Sequence, residues 1–380
     1  MSQRILVIFG TRPEAIKLIP VVRALQARAG IVVQTLATGQ HDVLLEQVLA
    51  LHRLRPDLQL DLIRRDDSLD ALHASLLLSI GDALELVRPD MVVVQGDTAT
   101  AHAGALAAVH RQIPVAHVEA GLRSGNTAHP WPEEHYRRAI ADYSALHFAP
   151  TPAAAAALGR ECIDPATVLM TGNTIVDALA AVRARVALDP ELAAAAQPIL
   201  AAADGRALIL ATAHRRENAK SLHAIVTALK KMARDSGALV VMVRHPNAAA
   251  SDDLARLLGV ANLVVTDPLD HAAFVTLLDR ASLVLTDSGG VQEEAVALNT
   301  PVLVLRETTE RPEGVDCGLA RLTKLDPAAI VSAATEMLAN PPSATGQCPY
   351  GDGRAAERIA DALIHGIPAA AKRASTLTEA

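Results

Sequence analysis

Three carboxylates in the first half of the chain could carry out acid–base chemistry. Asp97 directly follows the apolar run MVVVQG, Glu119 follows PVAHV, and Glu133 begins the helix-like segment EEHYRRAIADY. Three carboxylates in one site would repel one another and raise the pKa of at least one of them, which prepares that group to exchange a proton near neutral pH. In the second half of the chain, His214 within AHRREN is the matching candidate.

Each of these residues also has a plainer interpretation. Asp97 could be the N-cap of a following helix. Glu133 could be a favourable charge at a helix start, worth ~0.3–1 kcal/mol. A single histidine such as His214 is more often structural. For Glu119 the structural interpretation is poor, because a carboxylate at the end of an apolar strand is costly unless it is paired.

The stretch SLVLTDSGGVQEEAVAL is typical of a strand that turns into a helix around a phosphate. The backbone N–H groups of Ser288, Gly289 and Gly290 can face a diphosphate at the positive end of the helix dipole. Glu294 follows closely, where it could accept a hydroxyl of a ribose diol. One strand later, Arg311 could reach the same phosphates. The glycines alone would be weak evidence, but their combination with Glu294 and Arg311 favours a nucleotide site.

A second anion site is indicated by the stretch FGTRPEAIK. Thr11 and Glu14 fit a capping box and Pro13 suits a first helical turn, so these three residues have a structural explanation. Arg12 and Lys17 do not, because they add two cations to a helix N-terminus that already favours anions. We therefore expect both cations to contact the ligand.

The scaffold that could bring these residues together is an α/β fold. Short β-branched runs alternate with helical patterns, and the runs are nearly all apolar, as in parallel strands covered on both faces. Ligands bind outside the carboxyl ends of such strands. The roughly eleven runs suit two domains better than one sheet. We expect one domain at residues 1–175 and the other at 176–352, with a last helix at about 353–366 packing back on the first.

The composition argues against several classes of protein. The chain has 380 residues and a net charge of −7, which gives no electrostatic footprint for nucleic acid. It contains no run of about 18 uncharged apolar residues, so we predict no membrane span. Its cysteines, at 162, 317 and 348, match neither a zinc site nor a disulfide framework. With no signal peptide expected before the first strand, we predict a cytoplasmic protein.

Taken together, the motifs closely resemble those of the bacterial non-hydrolysing UDP-N-acetylglucosamine 2-epimerases. The motifs that carry the resemblance follow the family's order: FGTRPEAIKLIPV, GDTATA, HVEAGLRSG, PWPEEHYRR, TGNTIVDAL, HRREN, LTDSGGVQEEA and TTERPE. The resemblance implies two Rossmann-like domains of the GT-B type, an active site in the cleft between them, and a homodimer. It implies no nicotinamide and no metal cofactor.

The resemblance also implies a mechanism and a set of site residues. In the family the C2 proton is removed and UDP departs by elimination, giving 2-acetamidoglucal, and UDP adds back as C2 is protonated from the other face. The family's acid–base residues match Asp97, Glu119, Glu133 and His214. Its nucleotide contacts match Arg12, Lys17, Phe274, Ser288, Gly289, Gly290, Glu294 and Arg311.

One part of the resemblance is incomplete. Many bacterial members bind a second UDP-N-acetylglucosamine as an activator, and Gln40 and His41 match part of that site. A glutamine usually found three residues after Gln40 is Val43 here, and a basic residue expected nearby aligns with Asp67. We therefore expect catalysis without this activation.

Alternative functions are a 2-epimerase for a UDP-2,3-diacetamido sugar and, less favoured, a GT-B glycosyltransferase. A glycosyltransferase needs an acceptor site and one base, and has no need of three clustered carboxylates. A non-catalytic sugar-nucleotide sensor should have lost one of Asp97, Glu119 or His214, and none is lost. The pathways expected from the resemblance build cell-surface polysaccharides.

Overall fold

The chain divides into two compact units. The computed structural model describes residues 2–39, 43–128, 130–213, 222–244, 252–344 and 346–365. Unit 1 runs through Ala178 and resumes at Tyr350, and unit 2 is Leu179–Pro349. Because the chain leaves unit 1 and later returns to it, unit 2 is an insertion into unit 1.

Unit 1 is a parallel sheet covered by helices. Its strands are β1 (Gln3–Phe9), β2 (Ile31–Ala37), β3 (Leu58–Gln59), β4 (Met91–Gln95), β5 (Val115–Val118), β6 (Leu146–Ala149) and β7 (Val168–Met170). Its helices are α1 (Arg12–Gln26), α2 (Val43–Leu51), α3 (Leu69–Val87), α4 (Ala99–Val109), α5 (Glu133–Tyr143) and α6 (Pro152–Arg160), and α7 (Thr174–Leu188) leads into unit 2. The sheet order is β3-β2-β1-β4-β5-β6-β7.

Unit 2 repeats the same plan. Its strands are β8 (Leu208–Thr212), β9 (Leu239–Val243), β10 (Leu263–Thr266), β11 (Leu283–Thr286), β12 (Val302–Val304) and β13 (Ala320–Leu322). Its helices are α8 (Gln197–Ala203), α9 (Leu222–Asp235), α10 (Asp252–Ala255), α11 (His271–Arg280), α12 (Gly289–Ala297), α13 (Glu313–Asp316) and α14 (Pro327–Ala339). The sheet order is β10-β9-β8-β11-β12-β13, and all of its strand pairs are parallel.

Both sheets have the doubly wound Rossmann order, in which the chain reverses its direction of winding beside the first strand. The reversal lies between β1 and β4 in unit 1 and between β8 and β11 in unit 2. Strands next to it, such as β4 and β11, are buried along their whole length, which explains their unbroken apolar sequences. The predicted fold class, α/β with two Rossmann-like domains, is confirmed.

The structure differs from the sequence-based expectation at the sheet edges and at one helix end. Strands β3 and β13 were not predicted, because two or three residues are too short to show a pattern. The sequence after β1 predicts a helix from Arg12 to about Ala29, whereas α1 ends at Gln26. Among the described residues, no helix combines the length and apolarity needed to cross a membrane.

The last described helix, α15 (Ala355–His365), belongs to unit 1. The carboxylate of Asp177 accepts the backbone N–H groups of Ala355 and Ala356, at 3.3 and 2.9 Å, and so caps the first turn of α15. Further along the helix, Asp361 pairs at 2.8 Å with Arg28, which lies just beyond the end of α1, and α15 also contacts α1 itself. Helix α15 thus packs on the helix that follows the first strand.

Candidate functional site

The reversal point of unit 1 brings two turns into close contact. The turn after β1 contains Gly10, and the turn after β4 leads into α4. Thr100 lies in the first turn of α4, and Thr38 directly follows β2. A Cβ atom on Gly10 would lie 2.2 Å from Thr100 Oγ1 and 2.3 Å from Thr38 Oγ1, so only glycine fits there. Those two hydroxyls are joined by a 2.8 Å hydrogen bond. Residues on either turn are therefore held at fixed positions at the carboxyl end of the sheet.

The side chain of Glu14 is fully buried between these turns. It accepts hydrogen bonds from the N–H groups of Gly10 and Thr11 and from the Thr11 hydroxyl, which confirms the carboxylate half of the predicted capping box. It also accepts the hydroxyl of Thr98. Burial raises the pKa of Glu14 to about 7, against the lowering effect of these hydrogen bonds.

Glu119 follows β5 and is held by residues from two other strands or helices. Lys17 Nζ of α1 lies 2.5 Å from Glu119 Oε2, and both side chains are more than nine-tenths buried. Gln95 Nε2, at the end of β4, donates to the same oxygen. The backbone of Glu119 has a φ of +65°, a left-handed conformation that non-glycine residues adopt rarely. Three segments thus hold this carboxylate in an otherwise unfavourable place.

Asp97 does not have the N-cap role that its position in the sequence allowed. It is not a helix N-cap, because the residue that caps α4 is Thr98, whose side chain accepts the N–H of Ala101. Instead, Asp97 Oδ2 lies 2.5 Å from Arg137 Nη2 of α5. The same guanidinium donates to Glu134 Oε2 at 3.1 Å. Arg137 therefore connects the turn after β4 to the helix that carries Glu133.

Glu133 is the first residue of α5, as predicted, and is half-buried. Its Oε2 atom is buried and accepts no hydrogen bond from any residue that the structure describes. Burial, and to a smaller extent the charge of Glu133, raises the pKa of Tyr136. Glu133 thus has a buried carboxylate oxygen without a protein donor in the described part of the chain.

His117 supports the turn that carries Asp97. Burial lowers the pKa of His117 to about 3, so its ring is neutral at physiological pH. Its Nε2 lies 2.8 Å from the carbonyl oxygen of Gly96, to which the neutral ring donates. The imidazole therefore fixes the turn and carries no charge into the site.

The reversal point of unit 2 contains the predicted phosphate loop. Ser288 is the N-cap of α12, and its backbone N–H donates to Thr286 Oγ1 at 3.0 Å. Gly289 and Gly290 begin the helix, where the first N–H groups have no intrahelical acceptor. Gly290 is exposed with open space around its Cβ position. The donors that remain for an anion are therefore those of the two glycines and the turn after them.

Arg311 lies directly against this loop. A Cβ atom on Gly289 would come within 2.6 Å of Arg311 Nη1. The guanidinium donates to Glu293 Oε1 at 2.8 Å and to Glu310 Oε1 at 2.6 Å. Its charge is thus balanced by two buried carboxylates, and its packing fixes the position of the glycines.

Helix α11 places two further side chains in unit 2. Phe274 is half-buried, and His271, one turn earlier, is almost fully buried. His271 Nε2 lies 3.7 Å from Glu294 Oε1, and neither ring nitrogen has a hydrogen-bond partner among the described residues. Glu294 itself is 8% exposed.

Three predicted residues lie outside the described parts of the chain, namely His214, Gln40 and His41. Conversely, Gln95 and Arg137 contact the predicted carboxylates but are not themselves predicted from the sequence. The sequence spacing could have identified Arg137, because a residue four positions after Glu133 lies on the same side of a helix. The sequence could also have identified Gln95, because a polar side chain at the end of an otherwise apolar strand is unusual.

Comparison with known proteins supports a single family. The family model described as UDP-N-acetylglucosamine 2-epimerase matches residues 23–364. A probable UDP-N-acetylglucosamine 2-epimerase of Ralstonia solanacearum is 43% identical over 370 residues, which are 95% of this chain and 98% of that protein.

Two crystal structures are also similar over the whole chain. The UDP-GlcNAc 2-epimerase of Neisseria meningitidis, bound to UDP-GlcNAc, is 37% identical with a TM-score of 0.91, and the match covers 96% of this chain and 100% of that one. The Methanocaldococcus jannaschii enzyme, in complex with UDP-GlcNAc and UDP, is 32% identical with a TM-score of 0.85 and the same coverage. The protein described here belongs to the UDP-N-acetylglucosamine 2-epimerase family of isomerases.

Proposed function

We propose that the protein interconverts UDP-N-acetylglucosamine and UDP-N-acetylmannosamine by inverting C2 of the sugar. Membership of the family is the main support for this proposal. The geometry of unit 1 agrees with it, because Lys17 and Gln95 hold Glu119 at the carboxyl end of β5. A sugar carbon that loses and regains a proton needs such a fixed acid–base group.

The proposed reaction has two half-reactions. In the first, a carboxylate takes the proton from C2, the electron pair of that C–H bond forms a double bond between C1 and C2, and the C1–O bond breaks with its electrons on UDP. The products are 2-acetamidoglucal and UDP, both still bound. In the second, a phosphate oxygen of UDP adds to C1 while an acid protonates C2 on the opposite face.

Protonation on two faces requires two acid–base groups, and unit 1 supplies three carboxylates in different surroundings. Asp97 and Glu119 are each paired with a buried cation, Arg137 and Lys17 respectively. Glu133 has an oxygen without a donor in the described residues, which leaves it able to meet a substrate atom. His214 completes the proposed set.

We propose that unit 2 holds the UDP. The N–H groups of Gly289 and Gly290, with the dipole of α12 behind them, suit the diphosphate. Glu294 suits the ribose diol, and Phe274 offers the nucleoside an apolar surface. Arg311 fixes the loop by its packing. In unit 1, we propose that Arg12 binds a phosphate of the substrate.

Proton NMR in D2O tests this proposal. With UDP-N-acetylglucosamine as the only substrate, we expect UDP-N-acetylmannosamine to form and deuterium to enter C2 of both the product and the recovered substrate. Inversion with the original C2 proton retained would contradict the elimination mechanism. No inversion at all, with the sugar's stereochemistry unchanged, would favour a transferase. A UDP-2,3-diacetamido sugar assayed in parallel decides between the two substrates.

The resemblance supports three further parts of the proposal. We propose a homodimer that acts in the cytoplasm on a nucleotide sugar for cell-surface polysaccharide. Light scattering coupled to size-exclusion chromatography measures the assembly directly, and a mass equal to one chain would contradict the dimer.

We also propose that turnover needs no second nucleotide sugar as an activator. Val43 is a largely exposed apolar residue and Asp67 adds a negative charge, so neither suits a diphosphate. The rate should follow a hyperbola in UDP-N-acetylglucosamine, and the reverse reaction should start without a lag from UDP-N-acetylmannosamine alone. A lag cured by a trace of UDP-N-acetylglucosamine would show that activation is retained.

A further inference from the structure

The buried carboxylate of Glu14 connects two turns from different parts of the chain. Its Oε2 accepts the N–H groups of Gly10 and Thr11, at 3.1 and 2.8 Å, and the hydroxyl of Thr11 at 2.7 Å. Its Oε1 accepts the hydroxyl of Thr98 at 2.7 Å, a residue 84 positions away. The carboxylate thus uses one oxygen for each turn.

The bond to Thr98 is not required for capping α1. The cap is complete once Glu14 has accepted the N–H groups of its own turn. Thr98, for its part, already caps α4 by accepting the N–H of Ala101 at 3.0 Å. The hydroxyl therefore has a second task, which is to hold the turn after β4 against the turn after β1. The bond lies at the reversal point of the sheet, where ligands bind in this fold.

We propose that Glu14 is a positioning residue that fixes Arg12 relative to Asp97. Arg12 directly follows one of the two joined turns, and Asp97 directly precedes Thr98 in the other. This inference rests on the proposed function, in which UDP must stay in place after the C1–O bond breaks and then return to C1. A fixed distance between the diphosphate-binding cation and the acid–base group favours that return over the release of UDP.

The test measures how often the intermediate escapes. In Thr98→Val and Glu14→Met, we expect the amount of free UDP and 2-acetamidoglucal released per UDP-N-acetylmannosamine formed to rise about 5-fold, the scale of one lost hydrogen bond. This ratio does not depend on the fraction of folded enzyme, so a loss of stability alone leaves it unchanged. Thr98→Ser keeps the hydroxyl and should retain the wild-type ratio.

Thr151→Val is the matched control. Thr151 caps α6 in the same unit by accepting the N–H of Ala154, so the substitution and the lost cap are the same as at Thr98. We expect the wild-type ratio in this variant. An unchanged ratio in both Thr98→Val and Glu14→Met would overturn the inference and leave Glu14 as a helix cap only. A wild-type protein that forms no UDP-N-acetylmannosamine would overturn the proposed function as well, which is a separate result.

Discussion

The ion pair between Lys17 and Glu119 combines a structural role with the proposed catalytic one, and the two roles can be separated. Glu119→Gln removes the counter-charge that Glu119 provides to the buried ammonium, which should cost about 3–5 kcal/mol of unfolding free energy. It should also lower turnover at least ~100-fold if Glu119 moves a proton.

The double variant Lys17→Met/Glu119→Gln separates these effects. Removing both charges should restore most of the unfolding free energy, since an apolar replacement of a buried pair is often neutral. Turnover should stay low. Thermal unfolding and an NMR epimerisation assay measure the two quantities, and recovery of turnover in the double variant would show that Glu119 is not an acid–base group.

Glu14 should make the stability of the protein depend on pH. Its pKa is raised from 4.5 to about 7, so its stabilising contribution is complete below pH 4.5 and is lost as the pH rises through 7. Between pH 5 and 8, wild-type protein should lose up to about 3 kcal/mol relative to Glu14→Gln, which cannot ionise.

Urea unfolding of both proteins at the two pH values measures this difference. His117, whose pKa is lowered to about 3, costs stability as the pH falls below its ordinary value of 6.5. That cost is present in both proteins and cancels in the comparison. Equal changes in the two proteins would contradict a raised pKa for Glu14.

At the scale of secondary structure, the start of α12 depends on a glycine with no space for a side chain. Gly289→Ala should displace the guanidinium of Arg311 from Glu293 and Glu310, which should cost about 1–3 kcal/mol of unfolding free energy and weaken UDP binding. Gly290→Ala is the matched control for stability, because its Cβ would meet open space, and the change should stay within ~0.5 kcal/mol. Thermal unfolding compares the two, and equal losses would mean that Arg311 moves without cost.

Most strands could be predicted from the sequence, but the pairs that the candidate site residues form could not. Strands such as β4 were recognisable because burial on both faces requires an unbroken apolar run. The partner of Glu119 was not, because Lys17 lies 102 positions away and meets it only through the strand order β1-β4-β5. For the same reason, Glu14 could be recognised as a cap from local spacing, whereas its bond to Thr98 could not.

At the scale of the whole molecule, Asp177 attaches the returning chain to unit 1. Asp177→Ala leaves the first N–H groups of α15 without their acceptor and should cost about 0.5–2 kcal/mol. Loosening of α15 should speed trypsin cleavage after Arg354 and Arg358. Asp326→Ala removes an ordinary cap from α14 in unit 2 and should leave cleavage at those sites unchanged. Equal cleavage rates in the two variants would contradict the role of Asp177.

The insertion of unit 2 into unit 1 also sets the order in which the protein can be completed during translation. All seven strands of the first sheet are synthesised before unit 2, whereas α15 is synthesised only after it. Helix α15 packs on α1 and buries Ile359 and Leu363 completely. Until α15 is made, the apolar surface that it will cover on the first domain therefore stays exposed. A premature stop within unit 2 leaves this surface open to chaperones and to aggregation.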